Sequence, residues 1–204
     1  KLSKWIKDNV NDKNKNAINF LHREDHYERI YNSEVRNEVI TYLEFGVYKG
    51  DSIKWWVNKN SNTNSTFFGF DTFEGLPEKW GNYTKGDFNS NIPNTTDSRL
   101  KFIKGLFQNT LQNSLKDIKL NKRLVIHLDA DLFSSTFFVL TSLAPFLTKD
   151  NIILFDEFKK IAGLVTNNLS HSIFVLGMAG GTISRLETFF KPYNSASLLS
   201  LVFL

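Results

Sequence analysis

The chain contains no cysteine among its 204 residues. This absence excludes disulfide bonds and thiolate metal sites, and it makes the cytoplasm the expected location. No apolar run reaches the ~18 residues that a membrane-spanning helix needs, and no basic-then-apolar signal segment is present. We therefore expect a protein without a membrane partner.

Dense blocks of positive charge are also missing, although the formal net charge is +4. The lysines are spread along an asparagine-rich chain, and no RNA-binding signature accompanies them. A solvated basic surface explains this charge better than a nucleic-acid partner, so we expect no nucleic acid to bind. The positive net charge stays compatible with an anionic substrate. The hydrophobic content of 41% fits one globular domain with a sizeable core.

Short apolar runs alternate with helical patterns along most of the chain, which predicts a doubly wound, Rossmann-like α/β domain with a mostly parallel sheet. Two leading helices are predicted over residues 1–16 and 17–40. Strands are predicted over residues 41–45, 66–71, 100–104, 123–128 and 151–155. Further helices are predicted over residues 52–58, 110–118 and 134–147.

The pattern changes after the fifth strand. Only a few residues separate Glu157 from the next strand-like run, whereas a parallel crossover needs about a dozen. We expect that residues are missing from the sequence near 158–160, and that a C-terminal antiparallel hairpin over 161–176 and a strand within 196–204 close the sheet. The expected single domain therefore comprises leading helices over 1–40, a cofactor and metal core over 41–158, and closing strands over 159–204.

Four of the predicted strands end in an acid, which core packing does not explain because Asp and Glu are almost never fully buried unless paired. In open α/β sheets, ligands bind beyond the carboxyl ends of the strands, so these side chains should converge on one edge. The pattern indicates a polar ligand, a metal, or both. The acids are Glu44, Asp71, Asp129 and the adjacent Asp156 and Glu157.

A glycine turn follows the first of these strands, with Glu44, Gly46 and Gly50 spaced as acid-x-Gly-x-x-x-Gly. Gly46 would allow the tight turn, Gly50 a close approach of helix and strand, and Glu44 a contact with a cationic or hydroxyl group. Tyr48 stands where a dinucleotide fingerprint has glycine, which argues against NAD or FAD. Because Asp71 follows at the position of a ribose-binding acid, we favour an adenosine-type ligand over a turn glycine with a helix-capping acid.

Paired acids at the next two strand ends indicate a metal. Asp129, Asp156 and Glu157 would supply three oxygens to a hard divalent cation, with water and substrate at the remaining positions. Unpaired carboxylates this close raise one another's pKa, and a bound cation removes the repulsion. The alternative is that Asp131 and the Asp156–Glu157 pair cap helices, but capping explains one acid per helix and not two pairs. His127, inside its strand, is expected to be a core histidine.

Several motifs in order resemble one family, the macrocin O-methyltransferase-like group of class I S-adenosylmethionine-dependent methyltransferases. The resemblance covers about residues 40–158, and the blocks over 71–77 and 129–136 are its most specific parts. The glycine turn of that family also tolerates a bulky middle residue, so Tyr48 is no objection. The remaining matching segments are 44–50, 85–88, 104–111 and 155–157.

The resemblance implies S-adenosylmethionine as cofactor, Mg²⁺ or another hard divalent cation, and an acceptor hydroxyl on a sugar or glycosylated small molecule. It also implies a homodimer as a possible assembly. Asp129, Asp156 and Glu157 would bind the metal, and Asp131 would be the general base. The implied cofactor contacts are Glu44, Gly46 and Gly50 at the methionine end, Asp71 on the ribose, Thr72 and Phe73 near the adenine, and Ser52 and Gly105 beside them.

Two other functions stay open. The Asp-x-Asp spacing of Asp129 and Asp131 also occurs in metal-dependent glycosyltransferases, although such an enzyme needs neither the Gly46 turn nor the Asp71 block. A cofactor-binding module without catalysis is the third alternative. The polar loop over residues 80–97 is a candidate lid, because a closed loop would exclude water from a reactive cofactor.

Overall fold

The structure, a computed structural model, describes residues 23–148, 150–156, 186–190 and 197–201. Among these residues, no helix is long and apolar enough to cross a membrane. The strands are β1 Ile40–Phe45, β2 Thr66–Asp71, β3 Leu100–Lys104, β4 Arg123–Leu128, β5 Ile152–Phe155, β6 Leu186–Phe190 and β7 Ser197–Leu201. The helices are α1 Arg23–Ile30 with a π-helix over Tyr31–Val35, α2 Asp51–Lys59, α3 Phe107–Asp117, and α4 Phe133–Leu143 with a 3-10 helix over Ala144–Phe146.

These strands form one sheet in the order β3-β2-β1-β4-β5-β7-β6. Neighbouring strands run parallel except β6 and β7, which pair antiparallel. Strand addition reverses direction between β1 and β4, and this is where open α/β sheets bind ligands. The doubly wound Rossmann-like fold with a closing antiparallel pair is therefore confirmed.

The observed elements differ from the predicted ones mainly at helix ends. The last predicted helix ends as an α-helix at Leu143, because Pro145 has no N–H to continue the ladder, and the chain tightens into the 3-10 turn. The leading helix stops at Val35, before Arg36 takes a left-handed φ of 51°. The predicted hairpin over 161–176 lies outside the described residues, as does the helix over 1–16. The described antiparallel pair is β6 with β7, and β7 confirms the strand expected near the end.

Alternation along the central strands creates two cores, one on each face of the sheet. Leu43 and Phe45 belong to the core that includes residues of α3 and α4, whereas Tyr42 belongs to the core shared with α1 and α2. Each fully buried large apolar side chain contributes about 1.5–3 kcal/mol. Glu44 and His127 bond to Tyr42 and so lie in the second core, directly beneath α1 and α2.

Candidate active site

A cavity of about 820 Å³ opens beyond the carboxyl ends of the central strands. Its size lies in the upper part of the range of ~300–1,000 Å³ that ligand sites occupy. Residues predicted to bind the cofactor and residues predicted to bind the metal or to act as the base both line this cavity. The lining includes Gly46, Ser52, Asp71 and Thr72 from the first set and Asp129, Asp131 and Asp156 from the second.

Four predicted cofactor residues are not among those that line the cavity: Glu44, Gly50, Phe73 and Gly105. Gly50 precedes α2 with a φ of 77°, and a Cβ there would stand 2.9 Å from Cγ of Pro93. Gly50 therefore allows close packing against Pro93 of the 80–97 loop, whereas the predicted close approach of helix and strand stays a prediction. The contact of these four residues with a cofactor stays a prediction, and Glu157 lies outside the described residues.

Gly46 lies where the predicted cofactor side of the cavity contacts its predicted metal side. It has a φ of 92°, and a Cβ at this position would stand 1.8 Å from the carbonyl oxygen of Asp129. Only a residue without a side chain allows two backbones to approach this closely. The predicted cofactor turn after β1 is thereby pressed against the predicted metal-binding segment after β4.

Asp71, the last residue of β2, holds this turn in place. Its Oδ2 accepts the N–H groups of Val47 at 2.7 Å and Tyr48 at 2.8 Å, and its Oδ1 accepts the N–H of Phe73 at 2.8 Å. A carboxylate has about four acceptor positions, so one remains for a ligand hydroxyl. The structural role was not predicted from the sequence, and the ribose contact stays a prediction.

Asp71→Asn should lower the free energy of unfolding by about 1–3 kcal/mol, because an amide nitrogen cannot accept the N–H bonds that a carboxylate oxygen accepts. Urea unfolding measures this loss. Asp87→Asn is the matched control: Asp87 also accepts a turn N–H, that of Thr84 at 2.6 Å, but the bond is solvent-exposed. Its loss should stay below about 1 kcal/mol, and equal losses in both variants would contradict the anchoring role of Asp71.

Glu44 and His127 form a buried polar pair beneath the cavity, and both side chains are fully buried. Glu44 accepts the O–H of Tyr42 at 2.7 Å and the O–H of Ser52 at 2.8 Å, and Nδ1 of His127 stands 3.2 Å from Glu44 Oε2. Burial alone would lower the pKa of His127, but the Glu44 carboxylate outweighs it and raises that pKa. Burial and the charge of Glu44 also raise the pKa of Tyr42, so its hydroxyl remains a donor.

Asp129 and Asp156 face each other where β4 and β5 end. Burial and then repulsion from Asp156 raise the pKa of Asp129 to about 7. One ring nitrogen of His127 and one oxygen of each acid all lie within 4.8 Å of one another. Two carboxylates and an imidazole are a donor set that fits a divalent cation.

Arg23 of α1 supplies the positive charge that balances this acidic pair. Its Nη1 donates to Asp129 Oδ2 at 3.0 Å, and its Nη2 donates to Asp156 Oδ2 at 2.7 Å. These acids outweigh burial and raise the pKa of the guanidinium further above its usual range. Sequence reasoning missed Arg23, because it lies 106 residues from Asp129 and no local pattern marks it.

Asp131 lines the cavity from a strained turn. It has a left-handed φ of 58°, which costs a non-glycine residue ~1–3 kcal/mol and is concentrated at functional sites. Helix α4 begins two residues later, and its N-cap residue Leu132 makes no side-chain cap hydrogen bond. The base role and the helix-capping alternative for Asp131 both stay predictions.

Aromatic rings from the 80–97 loop form another part of the cavity lining, called here the aromatic wall: Trp80, Tyr83 and Phe88. The rings of Trp80 and Tyr83 stack with centroids 5.5 Å apart, and Phe88 lies 4.7 Å from Tyr83. Tyr83 and Phe88 remain 44% and 40% exposed, so these two rings offer apolar surface to a ligand. The sequence predicted this polar loop as a lid and did not predict these rings as cavity lining; closure of the loop stays a prediction.

Known proteins share this fold and these segments. Residues 43–158 match a family described as a methyltransferase domain. The crystal structure of CalS11, a calicheamicin methyltransferase, aligns with a TM-score of 0.55 and 19% identity over 87% of this chain and 76% of that one. An apo structure of CalS11, described as a TDP-rhamnose 3'-O-methyltransferase of calicheamicin biosynthesis, aligns at 0.49 and 19% over the same shares. No curated protein matches the chain.

At this identity the structural matches establish the fold alone, whereas the family match covers more than half of the chain. The matched residues run from within β1 past the end of β5 and so contain the glycine turn and all the acids of the cavity. A methyltransferase domain implies S-adenosylmethionine as the methyl donor. The chain belongs to the methyltransferase-domain family.

Proposed function

We propose that this protein is an S-adenosylmethionine-dependent O-methyltransferase that uses a divalent cation and methylates a hydroxyl of a sugar or glycosylated small molecule. The observation that carries the proposal is the contact between the Gly46 turn and the Asp129 segment at one cavity. Methyl transfer needs donor and acceptor in one gap, with the reacting atoms about 3–3.5 Å apart. A cavity lined by both Asp71 and Asp131 supports such a gap.

S-adenosylmethionine, when bound, supplies an electrophilic methyl group. The chain offers it a glycine turn with close backbone at Gly46 and the remaining acceptor position of Asp71 for a ribose hydroxyl. Leu106 and Phe107 also line the cavity and add apolar surface against which the adenine ring of the donor can pack. These groups would bind and orient the donor without taking part in proton transfer.

The acceptor hydroxyl must lose its proton as its oxygen attacks the methyl carbon. Asp131 is the proposed base; its position in the cavity lining, on a turn that costs backbone energy, supports this role. Asp129 and Asp156, with Glu157 beside them in sequence, would hold a divalent cation, whose Lewis acidity lowers the pKa of a coordinated hydroxyl. Arg23 would then keep a positive charge at the rim of the cavity.

The aromatic wall supports a sugar as the acceptor. The C–H faces of sugar rings pack on exposed aromatic rings, and Tyr83 and Phe88 present such rings beside polar groups that can hydrogen-bond hydroxyls. CalS11 carries the description of a methyltransferase that acts on TDP-rhamnose. Nucleotide-linked sugars are therefore the first acceptors to test.

Calorimetric titration tests the proposal. The protein is titrated with S-adenosylmethionine, with S-adenosylhomocysteine and with UDP-sugars, each with and without Mg²⁺. We expect both sulfur compounds to bind, and mass spectrometry of a panel of nucleotide-linked sugars to reveal one added methyl group. Absence of binding by both sulfur compounds would contradict the proposal, and binding of a UDP-sugar alone would favour a glycosyltransferase.

A further inference from the structure

His127 presents a buried ring nitrogen that no other described residue satisfies. The side chain is fully buried, and its Nε2 has no hydrogen-bond partner among the described residues. Buried polar atoms are almost always hydrogen-bonded, so this one requires an explanation. His127 and Asp129 share one face of the chain because they are two residues apart in an extended segment. A ring nitrogen of His127 also lies within 4.8 Å of carboxylate oxygens of both Asp129 and Asp156.

Glu44 determines which nitrogen of His127 carries the proton. The O–H of Tyr42 donates to Glu44 Oε2 at 2.7 Å, and Nδ1 of His127 lies 3.2 Å from the same oxygen. Nδ1 thus faces an acceptor and keeps its hydrogen, so Nε2 is the nitrogen that offers its lone pair when a bound cation displaces the second ring proton. Metal-binding histidines almost always donate their other N–H to such a carboxylate, which orients the ring.

We propose that Nε2 of His127 is a protein ligand of a divalent cation held together with Asp129 and Asp156. This inference rests on the cation site of the proposed function, and it does not depend on methyl transfer. Ligand atoms around one cation stand about 3 Å apart when metal–ligand bonds are about 2.1 Å. One ring nitrogen of His127 and one oxygen of each acid already lie within 4.8 Å of one another, so these three atoms need to approach by at most about 2 Å.

A nitrogen ligand changes the class of cation that the site prefers. Mg²⁺ takes oxygen ligands, whereas imidazole favours first-row transition cations. The expectation from the acids alone, a hard cation such as Mg²⁺, is therefore replaced by a cation that accepts one nitrogen and two or more oxygens. Mn²⁺ is the probe of choice because it accepts both ligand types and has an electron-spin signal.

Arg23 competes for this site, because its guanidinium already bonds both carboxylates. It must release them when a cation binds, and its partly exposed side chain leaves room to do so. Arg23→Gln should therefore tighten Mn²⁺ binding by about tenfold or more. Arg29→Gln removes the same charge from the exposed side of the same helix and should change the affinity little; equal effects of the two variants would overturn the competition.

Calorimetric titration with Mn²⁺ and with Mg²⁺ tests the ligand role of His127. We expect wild type to bind Mn²⁺ at least about tenfold more tightly than Mg²⁺. His127→Gln replaces the nitrogen by an amide oxygen, so it should weaken Mn²⁺ binding by about 10–100-fold or more and change Mg²⁺ binding little. Pulsed electron paramagnetic resonance of Mn²⁺-loaded wild type should show the coupling of a histidine nitrogen, a readout that stands even if the variant fails to fold.

The outcomes separate this inference from the proposed function. Mn²⁺ binding without a nitrogen coupling would overturn the role of His127 and leave the proposed function intact. Binding of S-adenosylmethionine without binding of either cation would overturn the cation site and this inference, and it would leave a methyltransferase that needs no metal. Cation binding with nitrogen coupling but without S-adenosylmethionine binding would support His127 and contradict the proposed function.

Discussion

Asp131→Asn is expected to slow methyl transfer roughly 10²–10⁴-fold, the usual contribution of a general base. An amide cannot take up the hydroxyl proton, whereas asparagine keeps the size of the side chain and tolerates the left-handed backbone that Asp131 adopts. The loss should therefore fall on kcat, with the affinity for S-adenosylmethionine and the melting temperature close to those of wild type. Steady-state kinetics, calorimetric titration and thermal melting measure the three quantities.

Asp117→Asn provides the matched control, since it removes the same charge at the exposed end of α3. It should retain the wild-type rate. If Asp131→Asn also retained it, Asp131 would not be the base, and its strained turn would need another explanation. If Asp131→Asn instead lost S-adenosylmethionine binding, its role would be in the donor site and not in proton transfer.

The central strands could be predicted from the sequence because a parallel strand buried on both faces needs an uninterrupted apolar run. β2 and β4 have the predicted bounds for this reason. Helix ends were harder to predict: α3 begins at Phe107, three residues before the predicted start, because Phe107 and Leu111 bury one face together. At the sheet edges, β3 has its predicted bounds, whereas the hairpin predicted over 161–176 lies outside the described residues.

The site residues likewise divide into those that the sequence predicts and those that only the packing brings to the site. Acids at the ends of parallel strands must meet at one edge, so Asp129 and Asp156 were predictable from topology alone. Arg23 was not, because its partners lie more than 100 residues away and only the packing of α1 brings them together. His127 is buried, as its place within β4 predicted, but the lack of a partner for its Nε2 among the described residues follows from how Glu44 orients the ring. The sequence contains the residue type, and the packing determines what the ring faces.

Gly46→Ala should have the largest effect on stability and on cofactor binding together. The new Cβ would stand 1.8 Å from the carbonyl oxygen of Asp129, which is backbone and cannot rotate away, so β4 and the turn must separate. Adding the cost of a left-handed alanine, we expect a loss of at least about 3 kcal/mol in the free energy of unfolding. Separation also moves the Asp131 segment away from the turn, so the affinity for S-adenosylmethionine should fall below detection in calorimetry. Urea unfolding measures the first effect.

Gly86→Ala separates the two causes, because Gly86 has a φ of 91° and a Cβ there would meet no atom within 4 Å. It carries the same backbone strain as Gly46→Ala without the contact, so its loss should be only about 1 kcal/mol. The difference between the variants then measures the close approach of the turn to the Asp129 segment. If both lost the same stability and Gly46→Ala still bound S-adenosylmethionine, the two segments would not need to touch, and the single cavity on which the proposed methyl transfer depends would lose its physical basis.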